Sequence, residues 1–197
     1  MELTKKIFGK GNDKEKTNFY NIYCEDCIFI MVDIQEKFKD IIYKMQNVVK
    51  NADILNKVSE ILEIPLIVTE QSPDKLGKSI ENIYLPASHK YFQKTKFSAM
   101  TDEVKEYTDE LDRKVLIVYG IEAHVCITQT CLEASQIGYD VVLISDAVSS
   151  RKAYSKEIAL NLLEKSKINV VTTEMLLFNL LNDAKHPKFR DISKLVK

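Results

Sequence analysis

The stretch IFIMVD, residues 28–33, is a run of five apolar residues that ends in an acid. An uninterrupted apolar run of this kind is typical of a strand that is buried on both faces, as in a parallel sheet. In open parallel sheets, ligands bind beyond the carboxyl ends of the strands, which makes Asp33 a candidate for function. Asp is also a good helix N-cap, and its position alone leaves both interpretations open.

Similar apolar runs along the chain predict further strands, and helical patterns lie between them. Apolar residues recur at three- and four-residue steps in the intervening segments, which indicates amphipathic helices. Strand and helix alternate from residue 28 onward, which favours right-handed crossovers and a parallel sheet covered on both faces. The predicted strands are residues 65–69, 90–92, 115–119, 141–144 and 168–171, and the predicted helices lie within 48–62, 125–137 and 158–163.

Length and charge set broad limits on the class of protein. A chain of 197 residues fits one domain with a full core. Its 28 Lys and Arg residues nearly balance its 29 Asp and Glu residues, so no long-range field attracts nucleic acid or an anionic membrane. No stretch approaches the roughly 20 apolar residues of a membrane span. We therefore expect neither a nucleic-acid partner nor a membrane partner.

Residues 1–21 are polar and rich in lysine, with little apolar periodicity. They predict an N-terminal extension that precedes a domain spanning residues 22–197. The extension lacks the apolar run of a signal peptide, so we expect a cytoplasmic protein.

The chain contains four cysteines, which should be reduced in a cytosol. Cys24 and Cys27 have the spacing of a zinc half-site or of a redox pair. A structural zinc site needs a second pair of ligands, and the sequence offers none at matching spacing. A redox pair normally follows a strand, whereas this pair precedes one. We interpret both residues as ordinary thiols beside the start of a strand.

Cys126 lies just inside the helix predicted after the fourth strand. Unpaired N–H groups and the helix dipole lower the pKa of a thiol there, which favours the reactive thiolate, and they can also hold an oxyanion. A buried core cysteine is the alternative, and Cys131, further along the helix, fits that description. Lys94 follows the third strand candidate, where its ammonium would stabilise a thiolate and a carboxylate together. Lys96 competes with it on sequence alone.

Taken together, these features resemble the isochorismatase-like hydrolase superfamily. Four segments in order carry the resemblance: an acid after an apolar strand with Gln two residues on, a Lys-x-x-aromatic-Ser motif, a nucleophile turn, and the strand and turn that follow it. The second motif selects Lys94 over Lys96. The four segments are IMVDIQEKF at 30–38, KTKFSAM at 94–100, GIEAHVC at 120–126 and residues 138–151.

The resemblance covers about residues 28–175. The segment TEQ at 69–71, with Leu76 and Gly77 after it, is further similar to the subgroup of isochorismatase domain-containing proteins.

The resemblance implies a three-layer α/β/α fold, Rossmann-like, with a six-stranded parallel sheet. It also implies a mechanism in which Asp33 is the general base, Lys94 stabilises the charged pair and Cys126 is the nucleophile. The sulfur would attack an amide-like, ester-like or urea-like carbonyl of a small molecule. Water would then open the resulting thioester, again with Asp33 as the base.

The resemblance further implies a cis peptide bond between Ile121 and Glu122, in the nucleophile turn. That turn would aim the backbone N–H groups of Val125 and Cys126 at one oxyanion site.

Loop residues are expected to line the substrate pocket: Phe38, Gln71, Phe97, Glu122 and His124. A Cys–His dyad is not expected, because side chains two residues apart on one turn face different ways. Nicotinamidases of the superfamily bind a metal through Asp and His near the second strand, but residues 70–73 contain no His. We therefore predict no catalytic metal and no cofactor. True isochorismatases cleave a vinyl ether without needing a cysteine, so Cys126 argues against that reaction.

Two other functions stay open at this point. The chain could be a binding or scaffold protein that keeps the fold without turnover, or a redox sensor that uses Cys126. By analogy with the superfamily, we also expect a homo-oligomer, a dimer or a tetramer.

Overall fold

A computed structural model describes residue 19 and residues 22–197. Apart from residue 19, the predicted N-terminal extension lies outside the described residues. Among the residues that are described, no helix is long and apolar enough to cross a membrane.

Six strands form one sheet, in the order β3-β2-β1-β4-β5-β6, and every neighbouring pair is parallel. The predicted six-stranded parallel sheet is confirmed. Most strands are longer than the apolar runs from which they were predicted. They are β1 Cys27–Val32, β2 Leu66–Gln71, β3 Lys90–Lys94, β4 Val115–Ile121, β5 Asp140–Ser149 and β6 Asn169–Val171.

Helices flank the sheet and complete three layers. Helices α1 and α6 pack on β5 and against each other, and α7 packs against α1, while α4 and α5 pack against each other and against β5. Helices α2, α3, α6 and α7 lie outside the segments in which helices were predicted. The helices are α1 Met45–Ile61, α2 Pro73–Leu76, α3 Asp102–Glu110, α4 Thr128–Gln136, α5 Ala153–Lys165, α6 Thr173–Leu181 and α7 Phe189–Leu195.

Strand β1 lies at the centre of the core, and all six of its residues are buried. Large side chains of the neighbouring strands close around it, with the rings of Phe29 and Tyr119 meeting edge to face at 6.2 Å between centroids. Each fully buried side chain of this size contributes about 1.5–3 kcal/mol through removal from water. The end of β1 therefore provides a rigid platform for Asp33.

The strand order reverses between β1 and β4, which places a crevice beyond the carboxyl ends of these two strands. Gly120, opposite Val32 in the register, allows the strands to meet closely there. It adopts φ +123°, and a Cβ on it would lie 2.1 Å from the carbonyl oxygen of Val32. This contact holds the residue before Asp33 against the strand that leads to Cys126.

The close approach at Gly120 predicts a large loss of stability in Gly120→Ala. The new methyl group meets backbone that cannot move aside, so we expect the free energy of unfolding to fall by about 4 kcal/mol or more. Gly138→Ala is the matched control, because Gly138 also has a positive φ, +106°, but a Cβ on it would meet nothing within 4 Å. That variant should lose about 1 kcal/mol. Urea unfolding measures both values, and equal losses would contradict the role given to the Val32 contact.

Candidate active site

A buried ion pair lies at the centre of the crevice. The Lys94 Nζ donates to Asp33 Oδ2 at 2.6 Å, and their side chains are only 0% and 2% exposed. The Thr69 hydroxyl donates to the other carboxylate oxygen at 2.8 Å. Asp33 has φ 53°, a left-handed conformation that Asp and Asn tolerate better than other side chains. Because burial removes both charges from water, the pair depends on a complete set of partners.

Lys94 is the last residue of β3, and its side chain reaches across the end of β2 to Asp33. Its ammonium also donates to Gln71 Oε1 at 2.8 Å and to the carbonyl oxygens of Phe97, at 3.0 Å, and Lys96, at 3.2 Å. Lys96, the competitor on sequence alone, instead pairs with Glu133 at 2.7 Å on the surface. The structure thus brings Lys94, and not Lys96, to Asp33.

Gln35 holds the end of β2 in place beside this pair. It is fully buried, accepts from the Gln71 backbone N–H at 2.9 Å, and donates to the carbonyl oxygens of Gln71 and Gly77. Gln35 positions Gln71, and Gln71 in turn accepts from Lys94. The motif in the sequence contains Gln35, but it does not reveal this role.

Cys126 lies in a π-helical turn, Ala123–Ile127, that joins β4 to α4. Cys126 and Asp33 line the same small cavity, and the negative charge of Asp33 raises the pKa of the thiol, so the structure brings together the three residues selected from the sequence. The Thr130 hydroxyl donates to the Cys126 carbonyl oxygen at 2.6 Å and accepts from the Ala99 N–H at 2.8 Å. Thr130 thereby ties the cysteine to the loop that follows Lys94. The peptide bond between Ile121 and Glu122, immediately before this turn, is cis.

The expectation of a lowered thiol pKa is wrong for the free protein. Burial, with the neighbouring negative charge of Asp33 as the next largest cause, raises the pKa of Cys126 to about 12, and the opposing effect of the Lys94 charge is smaller than that of Asp33. Burial likewise raises the pKa of the Asp33 carboxyl, against the opposing effect of the Lys94 charge. The resting site therefore holds a protonated thiol next to a carboxylate that is more basic than usual, rather than a preformed thiolate.

A cavity of about 120 Å³ opens onto Cys126 and Asp33. It is small beside the roughly 300–1,000 Å³ of common ligand pockets. Four of the five predicted pocket residues line it, namely Phe38, Gln71, Phe97 and Glu122. The other lining residues are Leu76, Ile121 and Val125.

His124 does not line this cavity, which corrects its predicted placement. The side chain turns to the other side of the π-helical turn, where its Nδ1 lies 2.9 Å from the Ser150 hydroxyl. It lines a separate depression with Arg151 and Tyr154. Two residues along a helical turn correspond to a large rotation, so His124 and Cys126 diverge.

The predicted oxyanion donors both belong to this turn. The Val125 N–H donates to the Glu122 carbonyl oxygen at 3.0 Å in the free protein. As an oxyanion donor it would have to share its hydrogen between that carbonyl and a ligand, a limitation that the sequence does not reveal.

The remaining cysteines are separate from the site. All four are free thiols, and Cys131 is fully buried in α4. Cys24 is half-buried beside Cys27, and the two thiols lie near the carbonyl oxygens of Leu180 and Tyr23, respectively.

Within residues 22–197, no group of three or more His, Cys, Asp or Glu is arranged to hold a metal ion.

Sequence comparison relates the chain to known proteins over most of its length. The isochorismatase domain family matches residues 27–175. Isochorismatase domain-containing protein 2 of Danio rerio is 39% identical over 170 residues, which cover 86% of each chain. The secreted isochorismatase effector Isc1 of Phytophthora sojae is 35% identical over 176 residues, 86% of this chain and 84% of that protein.

Solved structures share the fold. A protein described as the MAR1 ribonuclease of Caenorhabditis elegans superposes with a TM-score of 0.86 at 32% identity, covering 89% of this chain and 91% of that one. YcaC of Escherichia coli, described as an octameric hydrolase of unknown specificity, superposes with a TM-score of 0.77 at 18% identity, covering 88% and 94% of the two chains.

The charges around Cys126 predict how its reactivity depends on pH. With a thiol pKa of about 12, alkylation by iodoacetamide should rise about tenfold per pH unit between about pH 6 and pH 10, without a plateau. Asp33→Asn keeps the left-handed backbone but removes the negative charge, so the pKa of the thiol should fall and alkylation at pH 7 should become roughly tenfold faster. Peptide mapping by mass spectrometry follows Cys126 separately from the other thiols.

Asp102→Asn is the control, because it removes the same charge from an exposed position on α3. It should leave the profile unchanged. A wild-type plateau below pH 9, or slower alkylation in Asp33→Asn, would refute this account of the resting thiol.

Proposed function

The chain belongs to the isochorismatase family, and from that membership we propose that it is a cysteine-dependent hydrolase of a small amide-like substrate. Family membership itself supports a hydrolase-type function. One observation carries the finer proposal: the Asp33 carboxylate binds the Lys94 ammonium at one oxygen and lines the same small cavity as the Cys126 thiol. A nucleophile, a base and a cation that orients the base are the groups that covalent hydrolysis needs.

Acylation begins with the neutral thiol. As the sulfur approaches the carbonyl carbon, its proton passes to Asp33 and a carbon–sulfur bond forms. The tetrahedral intermediate then collapses with cleavage of the carbon–nitrogen bond, and Asp33 returns the proton to the leaving nitrogen. The Lys94 ammonium stabilises whichever group, sulfur or carboxylate, is negative at each stage.

Deacylation reverses the roles. Water enters where the amine left, Asp33 takes one of its protons, and the hydroxide attacks the thioester carbon. The carbon–sulfur bond breaks, the thiolate recovers the proton from Asp33, and a carboxylic acid departs. The backbone N–H groups of Cys126 and Val125 are the candidate donors to the oxyanion, with Val125 shared as described above.

The cavity favours a small substrate over a polynucleotide. Its volume is about 120 Å³, and its lining contains the acids Asp33 and Glu122 but no Lys or Arg among the described residues. Binding of nucleic acid depends on Lys and Arg that neutralise phosphates. Because one structural neighbour is described as a ribonuclease, RNA is included among the substrates tested below, but a small amide stays the leading proposal.

A cytoplasmic location is part of the same proposal. Four free cysteines suit a reducing compartment, where thiols stay reduced.

We further propose that the chain forms a homo-oligomer through α5. Tyr154, Ile158 and Leu162 recur every four residues along this helix and are 57%, 62% and 47% exposed. Such a stripe lies on one face of a helix and suits a second copy of the same face. The octameric state of YcaC gives a precedent in the same fold.

The hydrolase proposal is tested by a screen of small amides, ureas and esters, with an RNA oligonucleotide as a further arm. Wild-type protein should release ammonia or amine from at least one amide and form a thioester adduct, detected by intact mass spectrometry. Cys126→Ala should show no turnover above background. Asp33→Asn should lose roughly 100-fold or more in kcat, although its thiol alkylates faster, because it cannot accept the proton.

Cys24→Ser is the control, since Cys24 is a half-buried thiol outside the site. It should keep wild-type activity. Turnover that survives in Cys126→Ala, or RNA cleavage without amide hydrolysis, would overturn the proposal. A wild type that never turns over any of these substrates would favour the scaffold function, and a fast-forming disulfide of Cys126 would favour the redox sensor.

The assembly proposal predicts that Ile158→Glu produces a smaller species. A charge in the centre of the apolar stripe would have to be desolvated in the interface, so the oligomer should dissociate at micromolar concentration. Light scattering after size-exclusion chromatography gives the mass. Glu164→Lys, a charge change at an exposed position of the same helix, should leave the mass unaltered. A wild-type monomer would dismiss the interface.

A further inference from the structure

We propose that the substrate of this site is an uncharged amide and that Glu122 is the residue that excludes anionic analogues. The inference rests on the proposed function in so far as it names the substrate of that site. It follows from the charges of the residues that line the cavity. These charges can be probed without any turnover of substrate.

Within the part of the chain that the structure describes, the lining of the cavity presents no free cation to a substrate. Apolar side chains form most of the lining that the structure describes, and its polar members are Asp33, Gln71, Glu122 and Cys126. Lys94 lies behind Asp33, and its three ammonium protons already face four oxygen acceptors. A carboxylate on the substrate would therefore lose its hydration without gaining a charged partner, which is costly in a buried site.

Glu122 adds a negative charge to this wall. Its side chain is only 8% exposed, whereas the side chain of its partner Arg151 is 58% exposed. The Arg151 main-chain N–H donates to Glu122 Oε2 at 2.9 Å, and its Nε donates to the same oxygen at 3.2 Å. Arg151 does not line the cavity; it lines the neighbouring depression of about 260 Å³.

The two charges of this ion pair act unequally on a ligand in the cavity. Water screens the exposed guanidinium, whereas the buried carboxylate is screened much less. A ligand beside Cys126 therefore experiences a net negative wall, which repels an anion. Because Arg151 already contacts both carboxylate oxygens of Glu122, a cation on the substrate would have to compete with an existing ion pair. An uncharged substrate fits both conditions.

Two alkylating reagents of nearly equal size test the charge filter directly. Iodoacetamide is neutral and iodoacetate is anionic, and both react with the same thiolate. The ratio of their rates at Cys126 therefore cancels any change in the pKa or accessibility of the sulfur. The same ratio measured on the urea-unfolded chain gives the intrinsic reference. In the folded wild type, we expect the ratio of the iodoacetate rate to the iodoacetamide rate to be about tenfold lower than in the unfolded chain.

Substitutions at the ion pair should move the ratio in opposite directions. Glu122→Gln keeps the shape and can still accept from the Arg151 N–H, but it removes the charge, so the ratio should recover most of the tenfold deficit. Arg151→Gln leaves the main-chain contact and removes the neutralising cation, so the ratio should fall further. Because Arg151 is exposed, this second variant should fold even where Glu122→Gln does not.

Lys152→Gln is the matched control, since it removes a neighbouring positive charge that lines the same depression but does not pair with Glu122. It should leave the ratio close to wild type. A wild-type ratio equal to the reference, equal ratios in Arg151→Gln and Lys152→Gln, or no alkylation by either reagent would overturn the proposal. Failure of the hydrolase proposal is separate: it appears as absent turnover in the substrate screen, with the alkylation ratios still as described here.

Discussion

The Asp33–Lys94 ion pair is the interaction on which the rest of the site depends. Two charges that are almost fully removed from water are stable only when every remaining lone pair and proton finds a partner. Those partners come from the end of β2 and from the loop after β3: Thr69, Gln71, and the carbonyl oxygens of Lys96 and Phe97. Loss of one member of such a buried pair typically costs about 3–5 kcal/mol. The pair therefore links the proposed catalysis to the stability of the fold.

The same pair explains why the thiol stays protonated at rest. The Lys94 charge is largely satisfied by Asp33, so little of it is left to stabilise a thiolate, while burial and the carboxylate both disfavour a second anion. A thiol of this kind reacts only slowly with chance electrophiles at neutral pH. In the proposed mechanism it reacts faster with a bound carbonyl, which accepts electron density from the sulfur while Asp33 accepts the proton. The arrangement favours reaction with a bound substrate over indiscriminate alkylation.

The parallel sheet, the family and the selection of Asp33, Lys94 and Cys126 could be predicted from the sequence because each leaves a local signal. Strand β1 is a continuous apolar run, and Asp33, Lys94 and Cys126 each lie in a recognisable motif. What it missed depends on contacts between distant segments. The predicted shift of the thiol pKa was wrong in direction, because the desolvation of Cys126 and its proximity to the charge of Asp33 arise only on folding. His124 was misplaced because a motif gives order along the turn and not the direction of each side chain. Thr130 and Gln35 act through backbone groups far away in sequence, and no pattern in the chain marks them as partners.

The π-helical turn connects the cavity at Cys126 with the proposed assembly face. Cys126 points to one side of it and His124 to the other, where the depression is also lined by Arg151 and Tyr154. Tyr154 is the first residue of the exposed stripe on α5. A second copy seated on that stripe would remove water from around Arg151, and a guanidinium that is less screened neutralises Glu122 more completely. Assembly and charge selection are then coupled, because the oligomer would repel anions less strongly than the monomer. On these proposals, the charge that a ligand meets in the cavity depends on the surface around Arg151 as well as on the residues that line the cavity.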